Sequence, residues 1–284
     1  MAAQERHFRF ADGLTPEQER LVEALRSAVA PEVGNEPRHV AFVNRGTLVR
    51  YLRARSWDLH KATKLLRATL KWRDEYRPDE LRWETVGHAI GKGKMQLLLP
   101  DRDGRPTVLM RPRLEQVADS KEQIRYLIYV LERASQIADA SEHGTMAWLI
   151  DFVGFSSKTS PPLSVSLQTL HILQDHYPER LGRAVCFKPP TFFQFLWRAV
   201  KPFVDPKTRE KLVFIAKKED PKEVTKYFFP EGVDDTMGGT IPIDRLLQID
   251  EYGKRMQALD AQYEQILQEA AQIAAHTHKV GGGV

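Results

Sequence analysis

One cysteine in 284 residues, Cys186, leaves no intramolecular disulfide framework, so the fold must rest on an apolar core, as in a reducing compartment. Long apolar runs are missing too. No uninterrupted stretch of about 20 apolar residues is present, which argues against a membrane-spanning helix. The longest apolar cluster, residues 192–204, is broken by Gln194, Arg198, Lys201 and Pro202; it could lie on a membrane but not cross one. The opening MAAQERHFRFADGLT has no apolar signal-peptide core, so secretion is not expected. Charge of one sign is scarce: 42 Lys and Arg against 38 Asp and Glu give a net +4. That excess suits an anionic membrane surface or a phosphate ligand and is too weak to argue for nucleic acid.

Catalytic and metal patterns are absent as well. Gly91-Lys92-Gly93-Lys94 fails the P-loop template, because Met95 stands where the hydroxyl should be, and reads as a flexible basic turn. His171 and His176 are five apart rather than three or four, and His276 and His278 belong to the tail. No Gly-x-Ser-x-Gly elbow occurs. Cys186, inside the run Ala184-Val185-Cys186-Phe187, reads as a small core hydrophobe. The expectation is a protein that is not an enzyme and uses no cofactor or metal.

What is present is 42% hydrophobic residues, enough for a real core, in one large domain or a medium domain with a small companion. Residues 1–14 read as a polar leader. Residues 15–85 read as a helical lobe: Thr15-Pro16-Glu17-Gln18 is a capping box, a second helix covers 47–55, and Asp58 caps a third over 59–76 that Pro78 ends. From 86 to 240 short apolar strands alternate with helices. Strands are predicted at 96–99, 107–111, 147–151, 184–187 and 212–216, and helices at 121–138, 164–175 and 191–201. Asp101 to Pro106 supplies a turn between the first two strands. This is the pattern of an α/β sheet covered on both faces, or on one face and by a ligand. Residues 241–284 read as an amphipathic helix over about 243–275 with a frayed glycine tail.

Two stretches carry candidate function. Thr191 to Lys201 puts large apolar groups almost all round a short helix bracketed by Pro189-Pro190 and Pro202. It reads either as a core helix or as a hinged flap facing a membrane, with Phe192, Phe193, Phe195, Leu196 and Trp197 as its surface. Asp205-Pro206 starts a further helix by capping chemistry, and Thr208 and Lys211 share a face near its positive end. They read as a phosphate site or as a solvated basic helix.

Seven motifs, in order, carry a resemblance: Leu52-Arg53-Ala54-Arg55-Ser56-Trp57-Asp58, Lys71-Trp72-Arg73, Asp103-Gly104-Arg105-Pro106, Asp151-Phe-Val-Gly154, Tyr177-Pro178-Glu179-Arg180, Lys201 to Pro206, and Gly238-Gly239. Over about residues 40–240 the chain resembles the CRAL-TRIO lipid-binding proteins, in particular the phosphatidylinositol-transfer branch. The resemblance implies a small N-terminal helical lobe followed by an α/β lobe that encloses one lipid under a mobile gate helix. It implies a headgroup site of Arg55, Glu179, Thr208 and Lys211, with Asp205 a weaker candidate that also caps its helix. In relatives that exchange phosphatidylcholine, tyrosines and small hydroxyl residues line a second headgroup site. Leu97, Val108, Met146 and Trp148 occupy those places here, forming an apolar wall that implies a more hydrophobic second lipid, such as a sterol or isoprenoid.

The expected function is phosphatidylinositol binding and its transfer or presentation between membranes by a soluble cytoplasmic protein that docks reversibly. Two alternatives remain open. One is a carrier of an apolar small molecule regulated by phosphoinositide. The other is a lipid-switched signalling scaffold that recruits a protein partner through the C-terminal helix.

Overall fold

The structure is a computed structural model that describes residues 7–115, 119–156, 162–216, 218–246 and 248–281. Its helices are α1 (Pro16–Val33), α2 (Pro37–Phe42), α3 (Arg45–Ala54), α4 (Leu59–Tyr76), α5 (Trp83–Val86), α6 (Ser120–Asp139), α7 (Leu163–His176), α8 (Phe193–Val200), α9 (Pro206–Glu210), α10 (Ile243–Leu246) and α11 (Ile249–Gly281). The strands are β1 (Met95–Leu98), β2 (Thr107–Met110), β3 (Met146–Asp151), β4 (Leu181–Phe187) and β5 (Leu212–Ile215). The strands follow chain order across one sheet, β1 antiparallel to β2 and the other pairs parallel.

Local chemistry sets the ends of the helical lobe. The Gln18 amide donates to Thr15 Oγ1 at 3.2 Å and the Thr15 amide to Gln18 Oε1 at 3.0 Å, so the capping box forms in full. Asp58 receives the Lys61 amide at 2.9 Å to open α4, and Arg77, in the left-handed region at φ 56°, closes it before Pro78. Asn44 caps α3 through the Thr47 amide, which starts that helix two residues earlier than the apolar pattern predicts. The short helix α2 has no apolar periodicity long enough to read from sequence.

The start of the chain differs from the expected polar leader. Phe8 is 1% exposed, Phe10 meets it edge to face at 5.9 Å, and both belong to the core formed by α1, α3 and α4. Gly144, with φ 64°, lies directly under the Phe10 ring, where an added Cβ would come within 2.4 Å. Two aromatic anchors outweigh the polar residues around them. Residues 1–6 lie outside the described residues.

Strand alternation sorts the sheet into two faces. Leu98, Leu109, Ala147, Leu149, Val185, Phe187 and Ile215 pack against Val224, Phe228, Val233 and Met237 on one side. Met95, Leu97, Val108, Met146 and Trp148 face α6 and α7 on the other. The C-terminal stretch forms two helices rather than one, and α11 folds back along the molecule. Tyr252 Oη accepts the Leu97 amide at 3.0 Å, and Arg255 donates to the Leu97 and Leu98 carbonyls at 3.0 and 3.2 Å. These bonds close the open edge of β1. Farther along, the buried Asp260 receives Arg133 Nε at 2.6 Å, Tyr129 Oη at 3.0 Å and the Trp83 amide at 2.7 Å. Leu247, within the predicted helix, lies outside the described residues.

Candidate functional site

Between the α6/α7 face of the sheet and helix α8 lies a cavity of about 1250 Å³. That exceeds the roughly 300–1,000 Å³ usual for drug-sized ligands and leaves room for a molecule with long apolar chains. Much of its wall is apolar, with Met110, Ile124, Leu127, Met146, Trp148 and Ile150 among the lining residues. Charged residues stand among them in two groups, one with Glu179 and Lys211 and the other with Lys94 and Glu115.

At the end where β4 and β5 begin, Arg55, Glu179, Thr208, Lys211 and Asp205 all line the cavity. They arrive from three separate places. Arg55 is the C-cap residue of α3 and donates to the Ala54 carbonyl at 3.1 Å; Ser56 and Trp57 after it hold left-handed φ values of 51° and 64°. Glu179 sits in the turn before β4. Thr208 lies in α9 and Lys211 directly after it. Parallel pairing of β4 with β5, with the Ala184 amide on the Lys211 carbonyl at 2.9 Å, draws the last two places together. Glu179 Oε2 is then 3.9 Å from Lys211 Nζ, with both side chains half-buried. The spacing prediction needs one adjustment. Helix α9 has five residues and Lys211 stands at its C-terminal end, so Lys211 offers its own charge rather than the helix dipole. Asp205 caps α9 by accepting the Lys207 amide at 2.9 Å.

The backbone of Glu179 is held in an uncommon conformation, φ 57°, which a non-glycine residue adopts at a cost of about 1–3 kcal/mol. The anchors are its neighbours. Tyr177 donates its hydroxyl to Glu132 Oε1 at 2.8 Å, the Pro178 carbonyl accepts Arg50 Nη1 at 3.3 Å, and Arg180 pairs with Asp139 at 2.6 Å. Arg50 and, through Glu132, Arg73 belong to the helical lobe, so that lobe anchors the backbone that leads into Glu179. Arg73 stands within the Lys71-Trp72-Arg73 motif, while Arg50 lies in no motif of the sequence, so only its packing reveals its part in the site.

The aromatic helix is not buried as a core helix would be: among the described side chains of α8 none is fully buried. Phe193 and Trp197 line the cavity. Phe193 meets Phe152 at 4.5 Å and Phe214 at 6.4 Å, Trp197 meets Phe214 at 6.2 Å, and Phe192 meets Phe155 at 5.4 Å. Phe195 points outward and is 67% exposed. The side chain of Leu196 lies outside the described residues.

The expected apolar wall divides. Met146 and Trp148 line the cavity; Leu97 and Val108 do not. Strand register puts all four on one face, Leu97 opposite Val108 and Val108 opposite Trp148. At that edge, however, Tyr126 of α6 and Tyr252 of α11 close over the sheet, and Leu97 and Val108 are core residues at 1% and 0% exposure. The correction follows from a long-range packing event: local sequence gives the face of a strand but not what lies over it. Lys94 corrects the reading of a flexible basic turn. It is 6% exposed and, with Glu115, lines the opposite end of the cavity. Cys186 is buried beside Phe152 and Phe155, and burial pushes its thiol up to about 12, which removes it as a nucleophile at neutral pH.

Comparison with known proteins adds a family match. Residues 91–239 match the model of the CRAL/TRIO domain, and residues 20–68 that of the CRAL/TRIO N-terminal domain. The CRAL-TRIO domain-containing protein C23B6.04c of Schizosaccharomyces pombe is 31% identical over 240 residues, covering 80% of this chain and 23% of that protein. The phosphatidylinositol transfer protein PDR17 of Saccharomyces cerevisiae is 31% identical over 185 residues, covering 61% and 53%. The chain thus spans about a quarter to a half of the length of these relatives. The crystal structure of Sfh5 shares the fold, with a TM-score of 0.65 at 18% identity over 89% of this chain and 99% of that one.

Proposed function

This chain belongs to the CRAL/TRIO family, and from that premise we propose that it binds phosphatidylinositol in the central cavity and transfers or presents it between membranes. The observation that carries the reading is that Arg55, Glu179, Thr208 and Lys211 all line one cavity whose wall is largely apolar. Two cations and a hydroxyl suit a phosphodiester, and a carboxylate accepts hydrogen bonds from inositol hydroxyls. The apolar wall takes the acyl chains. Each methylene kept out of water there offsets about 0.8 kcal/mol of the cost of leaving a bilayer.

Helix α8 serves as the gate. Its outer surface, with Phe195 and the neighbouring Phe203 exposed beside Arg198 and Lys201, meets an anionic cytoplasmic leaflet. Extraction and release of a lipid are binding steps with no bond made or broken. The likeness to the phosphatidylinositol transfer protein PDR17 supports the choice of lipid.

A phosphatidylinositol transfer assay with Lys211→Ala and Glu179→Ala tests the assignment. Loss of one charge-assisted contact, worth about 1.5–3 kcal/mol, lowers affinity roughly 10- to 150-fold. Wild-type transfer by both variants would defeat the site. The apolar wall at Met146 and Trp148 favours a second, more hydrophobic ligand in the same cavity. Mass spectrometry of lipid extracted from the purified protein tells whether phosphatidylinositol or that ligand is the principal cargo.

A further inference from the structure

A buried ion pair stands at the end of the cavity away from Glu179 and Lys211. Lys94 Nζ lies 2.5 Å from Glu115 Oε2, with side-chain exposures of 5% and 24%. Both residues line the cavity, as do Ser120 and Gln123 in the first turn of α6, against a wall that includes Met95, Met110 and Ile124. The Tyr126 ring is 5.7 Å from the ammonium. Strand register measures the separation of the two polar ends: Leu181 lies opposite Met146, and Met110 opposite Ile150. Four residues of β3 at about 3.3 Å each put the ends roughly 13 Å apart or more. One headgroup cannot reach both.

Stability gives no reason for this pair. Desolvation of two charges commonly cancels their attraction, and apolar side chains of similar volume would hold such a site as well. Burial also pulls the Lys94 ammonium below its ordinary range, against the opposing effect of Glu115. A charged pair kept in a ligand cavity under those conditions points to a ligand group.

We propose that Lys94 and Glu115 receive the hydroxyl of a lipid alcohol, an apolar body with one neutral polar end, such as a sterol or a linear prenol. The proposal rests on the reading of the cavity as a lipid site. A hydroxyl accepts from the ammonium while donating to the carboxylate, so it matches both members of a pair whose net charge is already zero. A phosphodiester would add a second negative charge beside Glu115 with one cation to oppose it; at the other end Arg55 and Lys211 supply two. The apolar body lies over Leu127, Met146 and Trp148, in the same space that acyl chains would fill. Lipid alcohol and phosphatidylinositol therefore exclude each other.

The test uses the full chain stripped of lipid. Binding of dehydroergosterol and of geranylgeraniol is titrated beside the methyl ether of each, with vesicles containing phosphatidylinositol as a parallel arm. Whichever alcohol fits the cavity binds at least tenfold more tightly than its own ether. Glu115→Gln lowers that preference severalfold, because only the alcohol donates to the carboxylate, and Lys94→Met, which removes a donor that both ligands accept from, weakens alcohol and ether together; neither changes phosphatidylinositol binding. Glu115→Gln, at the more exposed position, keeps the question open to measurement if Lys94→Met fails to fold. Equal binding of alcohol and ether to the wild type overturns the proposal, as does binding of neither alcohol or a preference that survives Glu115→Gln undiminished. An alcohol preference without phosphatidylinositol binding sinks the transfer reading alone, and the converse sinks this one alone.

Discussion

Arg73 of the helical lobe donates through Nη1 and Nη2 to the two carboxylate oxygens of Glu132 at 3.1 and 3.0 Å, a fork that ties α4 to α6. The Tyr177 hydroxyl bonds to the same carboxylate, two residues before Glu179. Burial opposes both charges, yet each holds the other ionised, Glu132 below the usual carboxyl range and Arg73 above its own. The fork thus links the union of the two lobes to the placement of the candidate headgroup carboxylate.

Breaking it from one side leaves a buried guanidinium whose remaining carboxylate, Asp79, stands 4.0 Å away. Glu132→Leu lowers stability by about 3–5 kcal/mol, and Arg73→Met with Glu132→Leu restores part of the loss, because the fork's two charges are then gone while the buried Asp79 loses its cation. Denaturant titration checks this. A single variant as stable as the wild type counts against the fork as an interlobe bond.

Removal of residues 249–281 takes Tyr252 and Arg255 off the β1 edge and Asp260 off the fully buried Arg133. Stability falls by at least about 3–5 kcal/mol, which for a chain of this size corresponds to roughly 10 °C or more in Tm. The scaffold alternative, in which α11 serves a protein partner, requires the truncated chain to keep its stability and its lipid transfer. Differential scanning calorimetry and a transfer assay on the truncated protein decide between them.

Acid weakens the seam between the lobes at His176. Its ring stacks on Trp72 at 4.2 Å and 9°, its Nδ1 lies 3.2 Å from Thr69 Oγ1, and burial followed by the charge of Arg73 lowers its pKa to about 4. The folded value lies below the unfolded one of about 6.5, so the unfolded chain takes up the proton first. The contribution is present above pH 6.5 and is lost as pH falls from there through 4. The full shift would be near 3 kcal/mol, and partial exposure reduces it to about 1–2 kcal/mol. His176→Gln flattens the stability-pH curve in that window; an unchanged slope removes His176 as the cause.

Phe195→Asp tests the outer face of α8 as the proposed gate. Removing a side chain that is 67% exposed leaves Tm unchanged. A buried phenylalanine contributes about 1.5–3 kcal/mol, so binding to anionic vesicles falls by about tenfold or more. Equal sedimentation of variant and wild type with such vesicles rejects α8 as the docking surface.

Much of the fold was legible because its signals are local. Thr15 with Gln18, Asp58, Asp205 with Pro206, and the short apolar runs at 147–151 and 184–187 each act within a few residues, where local pattern and capping chemistry decide the outcome. Arg55, Glu179, Thr208 and Lys211 could be named from motif order, and the tertiary structure brought them to one cavity end. What sequence could not supply was the covering of one element by another. Leu97 and Val108 share a face with Trp148 but lie under Tyr126 and Tyr252, whose own positions depend on helices distant along the chain. Phe8 and Phe10 are two apolar residues in a polar segment until α1, α3 and α4 form the surface that buries them. Lys94 reads as a solvent-facing turn residue until Glu115 arrives from the far side of β2. The sequence alone determined the order of strands and helices, the caps and the chemistry available for a headgroup. Only the tertiary structure decided which side chains meet the cavity, because burial is a property of the assembled surfaces and not of the chain that forms them.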